Sequence, residues 1–350
     1  MSPPERPPPK PPERVTSADV ARLAGVSQSA VSRVFTPGAS VSPKTAAKVR
    51  AAAERLGYRP NVLARSLITG RTRIIGLVVA YLENQFYPVA LELLSRALQA
   101  RGYHILVFLA EGATGDVAEV VRELLDYQVD GLVTASVAMT DELTARCNAA
   151  GIPVVLFNRG QDDPRLSEVT SDNVAGARRA TEFLIEGGHR RIAHIMGWQG
   201  SSTGRDRAQG FRAAMAEAGL EPHALIDGMY RRETAAAAAR ALCTAPVRPD
   251  AIFVGNDHMA FAVVDTIRHE LGLEIPEDVS VVGYDDVPMA AWPAYDLTTV
   301  RQRVHRMVEA TVEALLGRIE GDPTPRKIRI EAPLVVRRSA RIPGAPAPWP

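Results

Sequence analysis

The sequence predicts an α/β chain: a small all-α unit at the N-terminus, then a two-lobed body built on two parallel, doubly wound sheets. Three observations carry that expectation. Residues 16–57 show helical apolar spacing in three short segments bounded by cap residues. From Ile74 onward, short apolar runs of strand length alternate with amphipathic helical stretches, which is the pattern of βαβ units. The alternation yields more strands than one compact sheet holds, so two lobes are expected.

Charge narrows the partners. A formal net charge of +1 conceals an asymmetry: residues 1–73 hold 13 Lys and Arg against 4 Asp and Glu, and the rest of the chain holds 28 against 36. A basic module on an acidic body points to a polyanion partner at one end only. No apolar run is long enough to span a membrane. Residues 1–14 are rich in proline and read as a disordered arm, neither a secretory signal nor an anchor. Cys147 and Cys243 match no metal-ligand spacing and fit small core residues in a reducing cytosol, so a cytoplasmic location is expected. There is no Gly-x-Ser-x-Gly elbow, no Walker loop and no metal-spaced histidine cluster, and Asp285-Asp286 has no acid or nucleophile placed with it. No catalytic site, metal or cofactor is expected.

The first sixty residues read as three helices. Thr16 is an N-cap with Asp19 in the first turn, and the helix stops at Gly25. Ser27 caps a second helix running from Gln28 to about Phe35. The Gly25-Val26-Ser27 gap has the length and the glycine of a helix-turn-helix corner. Ser42-Pro43 opens a third helix, with proline at the first helical position, ending at Gly57. In such a unit the second helix meets base edges in the major groove. Gln28 and Ser29 lie at its start and Arg33 one turn on. Gln pairs bidentately with adenine and Arg with guanine.

Several stretches carry a resemblance. Val15-Thr16-Ser17-Ala18-Asp19-Val20-Ala21-Arg22-Leu23-Ala24-Gly25-Val26-Ser27, Val31-Ser32-Arg33-Val34, Val41-Ser42-Pro43-Lys44-Thr45 and Leu56-Gly57-Tyr58-Arg59-Pro60-Asn61 resemble the LacI/GalR repressor headpiece in order and spacing. One departure is Thr36, where that family commonly has Asn. The resemblance implies that Gln28, Ser29 and Arg33 read bases. It also implies that Thr16, Ser27, Ser42, Thr45, Tyr58 and Asn61 hold phosphates. For Ser27 and Ser42, helix capping is the competing and compatible role. Residues 61–73 read as a short hinge helix and linker, too short to stand alone in water. By the same resemblance, Ala64 faces a minor groove and Leu67 wedges between base steps. Packing of Leu67 against the body is the alternative.

In the body, strands are expected at residues 74–80, 103–109, 130–134, 153–157, 191–196, 250–254 and 279–283. Helices are expected up to Arg101, up to Tyr127, from Asp172 to Gly187, and from Arg205, Thr234 and His258. Ligands of such sheets bind beyond the strands' carboxyl ends, and two facing lobes make a cleft that closes. The resemblance extends over about residues 15–338, through Asp172-Asn173-Val174-Ala175-Gly176, Arg207-Ala208-Gln209-Gly210-Phe211 and Asn256-Asp257-His258-Met259-Ala260 among others. It implies a periplasmic-binding-protein-like body over 74–342, with lobe 1 at about 74–187 and 295–321 and lobe 2 at about 188–290 and 325–342. The DNA-binding unit is then 15–60, and 343–350 is a Pro/Ala-rich tail. The three chain exchanges fall near Gly188, within 288–296 and near Asp322. Arg205, Asn256 and Asp285 are implied as effector ligands, with Tyr230 as a stacking aromatic and Phe86 and Gln302 at pocket positions. Arg and Asp together suit vicinal hydroxyls.

The expected function is that of a sequence-specific transcriptional regulator, a repressor that binds a palindromic double-stranded operator as a homodimer. A small sugar or sugar derivative controls it allosterically. It is not an enzyme and has no membrane partner. A dimer is preferred over a tetramer because the tail lacks leucine heptads. The body alone also fits a solute-binding protein of the periplasmic type or, less well, a sugar-modifying enzyme.

Overall fold

The computed structural model describes residues 15–36, 38–59, 70–110, 122–124, 126–137 and 139–344. The expected arm, the hinge residues Asn61, Ala64 and Leu67, most of the helix expected before Tyr127, and the last six residues lie outside them. The chain divides into two compact units, one ending at Thr72 and the other beginning at Arg73.

The first unit is three helices: α1 (Ser17–Ala24), α2 (Gln28–Val34) and α3 (Pro43–Leu56). Their boundaries follow from cap chemistry. The Thr16 hydroxyl accepts from the Asp19 amide while the Asp19 carboxylate accepts from the Thr16 amide, a reciprocal capping box. Ser27 and Ser42 accept from the amides of Ala30 and Thr45, both at 3.2 Å. Gly25 and Gly57 end α1 and α3 at φ 65° and 64°, a left-handed conformation that costs glycine nothing. The core is small: Val20, Val31 and Val49 are fully buried, ringed by Val26, Val34, Leu56, Phe35 and Tyr58. Each cap, worth about 1 kcal/mol, is therefore a large fraction of this unit's stability.

The second unit holds two six-stranded sheets. The first contains β1 (Ile74–Val79), β2 (His104–Leu109), β3 (Gly131–Ala135), β4 (Val154–Phe157), β5 (Ser167–Ser171) and β11 (Lys327–Ile330). Its order is β11-β5-β4-β3-β1-β2, parallel throughout. The second contains β6 (Ile192–Met196), β7 (Ala224–Asp227), β8 (Ala251–Val254), β9 (Ser280–Asp285), β10 (Thr298–Arg301) and β12 (Leu334–Val335). Its order is β12-β10-β9-β8-β6-β7, parallel except for the antiparallel edge pair β10–β12. The connecting helices are α4 (Phe86–Ala100), α5 (Asp141–Ala149), α6 (Asn173–Glu186), α7 (Ser202–Glu217), α8 (Arg232–Thr244), α9 (Asp257–Asp265) and α10 (Val304–Ile319). Strands β1, β3, β4, β6, β8 and β9 are buried along nearly their whole length, as parallel strands covered on both faces must be.

The lobe boundaries differ from the sequence expectation at all three exchanges. The chain leaves the first sheet at Asp172 rather than Gly188, because α6 packs along α7 and buries Ala177, Ala180, Phe183 and Leu184 with Phe211, Phe253 and Tyr284 of the second sheet's core. It returns at residues 302–303 rather than within 288–296, since β10 pairs with β9 and only α10 packs on α4, β4 and β5. It leaves the first sheet again after β11, at residues 331–333, rather than near Asp322. An amphipathic helix shows that it buries a face, but not against which sheet.

Candidate functional site

The first unit presents a polar surface at the start of α2. Gln28, Ser29 and Arg33 are all exposed. The Gln28 amide donates to the Ser17 hydroxyl at 2.8 Å, and the Ser29 and Ser27 hydroxyls are 2.9 Å apart. The Arg33 Nε reaches back to the Ser29 carbonyl at 3.4 Å, a long contact that a better acceptor displaces. Thr16, Ser27 and Ser42 use their oxygens as cap acceptors and stay exposed, and the Ser42 and Thr45 hydroxyls lie 2.9 Å apart. Three helix N-termini with exposed hydroxyls make a surface suited to phosphate. Tyr58 is half-buried against Phe35, its ring centroid 6.0 Å away. The Thr36 hydroxyl donates to the Ser32 carbonyl at 2.9 Å, so it ends α2 locally.

The second unit gathers strained backbone at the carboxyl ends of its strands. Ser136 after β3, Asn158 after β4, Met229 and Tyr230 after β7, and Asp285 and Asp286 at the end of β9 all have positive φ without being glycine. Such conformations cost of order 1–3 kcal/mol each and persist where surrounding structure holds them, often at ligand sites. Here the polar residues around them connect the two sheets.

Asp285 lies at the centre. It is buried and accepts from Gln302 Nε2 at 2.7 Å and from Asn84 Nδ2, beyond β1, at 3.3 Å. The Arg207 guanidinium stands 3.6 Å from it. Burial pushes the Asp285 carboxyl up from its ordinary range, and Arg207 opposes this. Arg207 is itself buried and fully engaged: Nε donates to Asn173 Oδ1 at 2.9 Å, another nitrogen to the Gly255 carbonyl at 2.6 Å, and the guanidinium covers the Tyr284 ring at 3.6 Å. Asn256, next to Gly255, accepts from the Met259 amide at 3.0 Å and so caps α9, which leaves its amide nitrogen as its donor end. Behind Asp285, Asp257 is buried, takes hydrogen bonds from the Thr299 hydroxyl at 2.6 Å and the Val287 amide at 3.0 Å, and is raised to about 7, first by burial and then by Asp285.

The opposite wall comes from the first sheet. Asn158 donates to the Tyr87 hydroxyl at 2.9 Å, and that hydroxyl also bonds Ser136. Arg159 donates to the Ser136 carbonyl at 2.9 Å and faces the rings of Trp198 and Tyr230 at 5.8 and 5.6 Å. Burial pushes the Tyr81 phenol well up and Tyr87 to about 12, and Arg159 opposes the shift of both.

Of the sequence-predicted ligands, Asp285 and Gln302 are bonded together, and Asn256 joins them through Gly255 and Arg207. Tyr230 faces Arg159 and donates to the Thr203 hydroxyl at 3.0 Å. Phe86 is buried, stacked 6.0 Å from Phe157 beneath the wall. Arg205 is not brought to the cluster: it is exposed, and its guanidinium donates to the Gln199 and Gly200 carbonyls. Two residues along a helix is about 200° of rotation, so Arg207 occupies the buried face and Arg205 the outer one. The signal was present in the sequence, since Arg207 shares a helical stripe with Thr203, Ala208, Phe211, Ala214 and Met215. Among the described residues no cluster of His, Cys, Asp and Glu could hold a metal ion, and no helix is long and apolar enough to cross a membrane.

Comparison with known proteins finds a match for each of the two units. Residues 16–61 match the family model of bacterial regulatory proteins, lacI family, and residues 181–340 match a periplasmic binding protein-like domain. The HTH-type transcriptional regulator CelR of Thermobifida fusca is 38% identical over 338 residues, covering 93% of this chain and 98% of CelR. A lac repressor dimer solved with operator and the anti-inducer ONPF superposes with a TM-score of 0.84 at 27% identity, over 93% of this chain and 99% of that one. A CelR–cellobiose complex matches with a TM-score of 0.69 at 34% identity, over 93% and 100% of the two chains. With a helix-turn-helix head and a two-sheet effector body in one chain, the protein belongs to the lacI family of DNA-binding transcriptional regulators.

Proposed function

We propose that the protein is a cytoplasmic repressor that binds a palindromic operator as a homodimer, through the head at 15–60, and releases or tightens on DNA when a sugar or sugar derivative occupies the body at 74–342. It has no enzymatic activity. The observation that carries this reading is the Asn84–Asp285–Gln302–Ser171 chain of hydrogen bonds, which joins residues of both sheets around a buried Arg–Asp pair. A polyol entering there exchanges hydroxyls for these contacts and changes how the lobes are held. The operator-bound dimer of the lac repressor and the cellobiose held by CelR support the partner and the ligand class. In the head, Gln28, Ser29 and Arg33 read bases, and Thr16, Ser27, Ser42, Thr45 and Tyr58 hold the backbone. In the body, Arg207 replaces Arg205 beside Asp285, Asn256, Tyr230 and Gln302.

Fluorescence anisotropy on a selected palindromic DNA pool, titrated with salt and then with a sugar panel, tests the proposal. Sequence-selective, salt-steep binding altered by one sugar is the expected result. A body that binds sugar while the chain prefers no sequence over random DNA would instead favour a solute-binding role.

A further inference from the structure

Gln28 opens α2 and is exposed, yet one end of its amide is already engaged. Its Nε2 donates at 2.8 Å to the hydroxyl of Ser17, the half-buried first residue of α1. The bond links the first turns of two helices whose backbones are both pinned. Thr16 caps α1 through the Asp19 amide, and Ser27 caps α2 through the Ala30 amide. Two capped turns thus keep the Ser17 and Gln28 side chains within reach of each other. Arg33 is the contrast: its Nε reaches the Ser29 carbonyl, and its two terminal nitrogens bond nothing among the described residues. Arg33 keeps a whole fork for guanine, whereas Gln28 does not keep both amide ends for adenine.

Polarity decides which end is left. A serine hydroxyl has one proton and two lone pairs. By accepting from Gln28, Ser17 keeps its proton for a neighbour that only accepts, such as a phosphate oxygen at the N-terminus of α1. Turned the other way, the hydroxyl would spend its proton on Gln28 and show that phosphate only lone pairs. Resting on the DNA-reading head proposed above, we infer that Ser17 is a positioning residue for base readout: it holds the Gln28 amide with Oε1 outward, so that Gln28 makes one acceptor contact in the major groove. An acceptor suits the bases that present an amino group there, adenine through N6 and cytosine through N4. It meets another acceptor on guanine O6 and thymine O4. The position facing Gln28 is therefore read as adenine or cytosine, not as adenine alone.

The test uses the full chain. Selection from a pool of palindromic duplexes locates the contact as the position whose preference is lost in Gln28→Ala. Anisotropy titrations then compare duplexes that carry each of the bases there. The unmodified chain is expected to bind the adenine and cytosine duplexes comparably and the guanine and thymine duplexes about fivefold to a hundredfold more weakly, the range for one mismatched pair. Ser17→Ala frees Nε2, so the amide takes N6 and N7 of adenine together, and adenine comes to exceed cytosine by about fivefold to a hundredfold. Ser17→Thr keeps a hydroxyl and so keeps the two bases comparable. The melting temperature of the head establishes that each variant folds. An adenine-only preference in the unmodified chain, the same base preference in Ser17→Ala, or no position lost in Gln28→Ala overturns the assignment and leaves the DNA-reading head standing. If the unmodified chain prefers no sequence over random DNA, both fail.

Discussion

Gln302 bonds in two directions at once: its Nε2 donates to Asp285 at 2.7 Å and its Oε1 accepts from the Ser171 hydroxyl at 2.7 Å. Ser171 ends β5 just before the first exchange between lobes, and Gln302 stands in the second. One buried amide thus ties two crossing segments to the carboxylate at the centre of the cleft.

Gln302→Leu keeps the volume but removes the shorter of the two amide donors to Asp285 and takes the oxygen acceptor from the Ser171 hydroxyl. Burying unsatisfied polar groups costs roughly 1–3 kcal/mol. The expected outcome is a lower urea midpoint for the body and effector affinity reduced by about tenfold or more, with the affinity of the ligand-free protein for DNA changed much less. Urea unfolding and ligand titration on the same preparation check this. A variant with unchanged effector affinity would show that the amide serves only stability.

Asp257 gives the body a pH dependence of defined sign. Its carboxyl stands at about 7 in the folded chain against 3.8 for an ordinary aspartate, so the folded state binds more protons between those values. Stability contributed at this site is therefore lost as pH rises from about 4 to about 7 and then levels off, by an amount on the order of a few kcal/mol. Asp257→Asn fixes the neutral form, so its urea unfolding free energy falls less between pH 5 and pH 7 than that of the unmodified chain. Equal slopes for the two proteins would show that Asp257 is already ionised when folded.

Gly210 of α7 faces the Val174 carbonyl of α6 so closely that a Cβ there overlaps backbone. Backbone cannot rotate away as a side chain can, so Gly210→Ala forces the helices apart. Overpacking costs typically 1–3 kcal/mol. Differential scanning calorimetry should show a lower unfolding temperature for the body, with the transition of the head unaltered.

Ser42 separates capping from phosphate contact. Aspartate is as good an N-cap as serine, and it complements the helix dipole, yet it repels a phosphate. Ser42→Asp should preserve the head's melting temperature while weakening DNA binding by about tenfold or more at low salt. Ser42→Ala should lose about 1 kcal/mol of stability as well. Melting curves and anisotropy titrations distinguish them; unchanged DNA affinity in Ser42→Asp would assign the residue to capping alone.

Local chemistry was the legible part of the sequence. Thr16, Ser27, Ser42, Gly25 and Gly57 mark their helix ends because capping needs nothing beyond three or four neighbours. The buried parallel strands were visible as apolar runs. Other strands were not: β5, β7 and β11 mix polar with apolar residues, β12 is only two residues long, and each takes its identity from pairing with distant chain. The lobe exchanges were misplaced for the same reason, since the partner of α6 lies in a sheet formed by later residues. Arg205 and Arg207 show the finer limit. A motif match fixes a charged residue to within a turn, and only the helical stripe decides which of two arginines faces inward.

The three exchanges between lobes also set a schedule. Domains of a growing chain fold as they emerge, and the helices of the head are complete by Leu56, whereas the first sheet lacks its edge until Ile330 and the second until Val335. During synthesis the head can therefore fold long before the body that would control it is complete. A chain stopped before Leu334 has a complete head and an incomplete second sheet, so nearly the whole sequence must be made before control can begin.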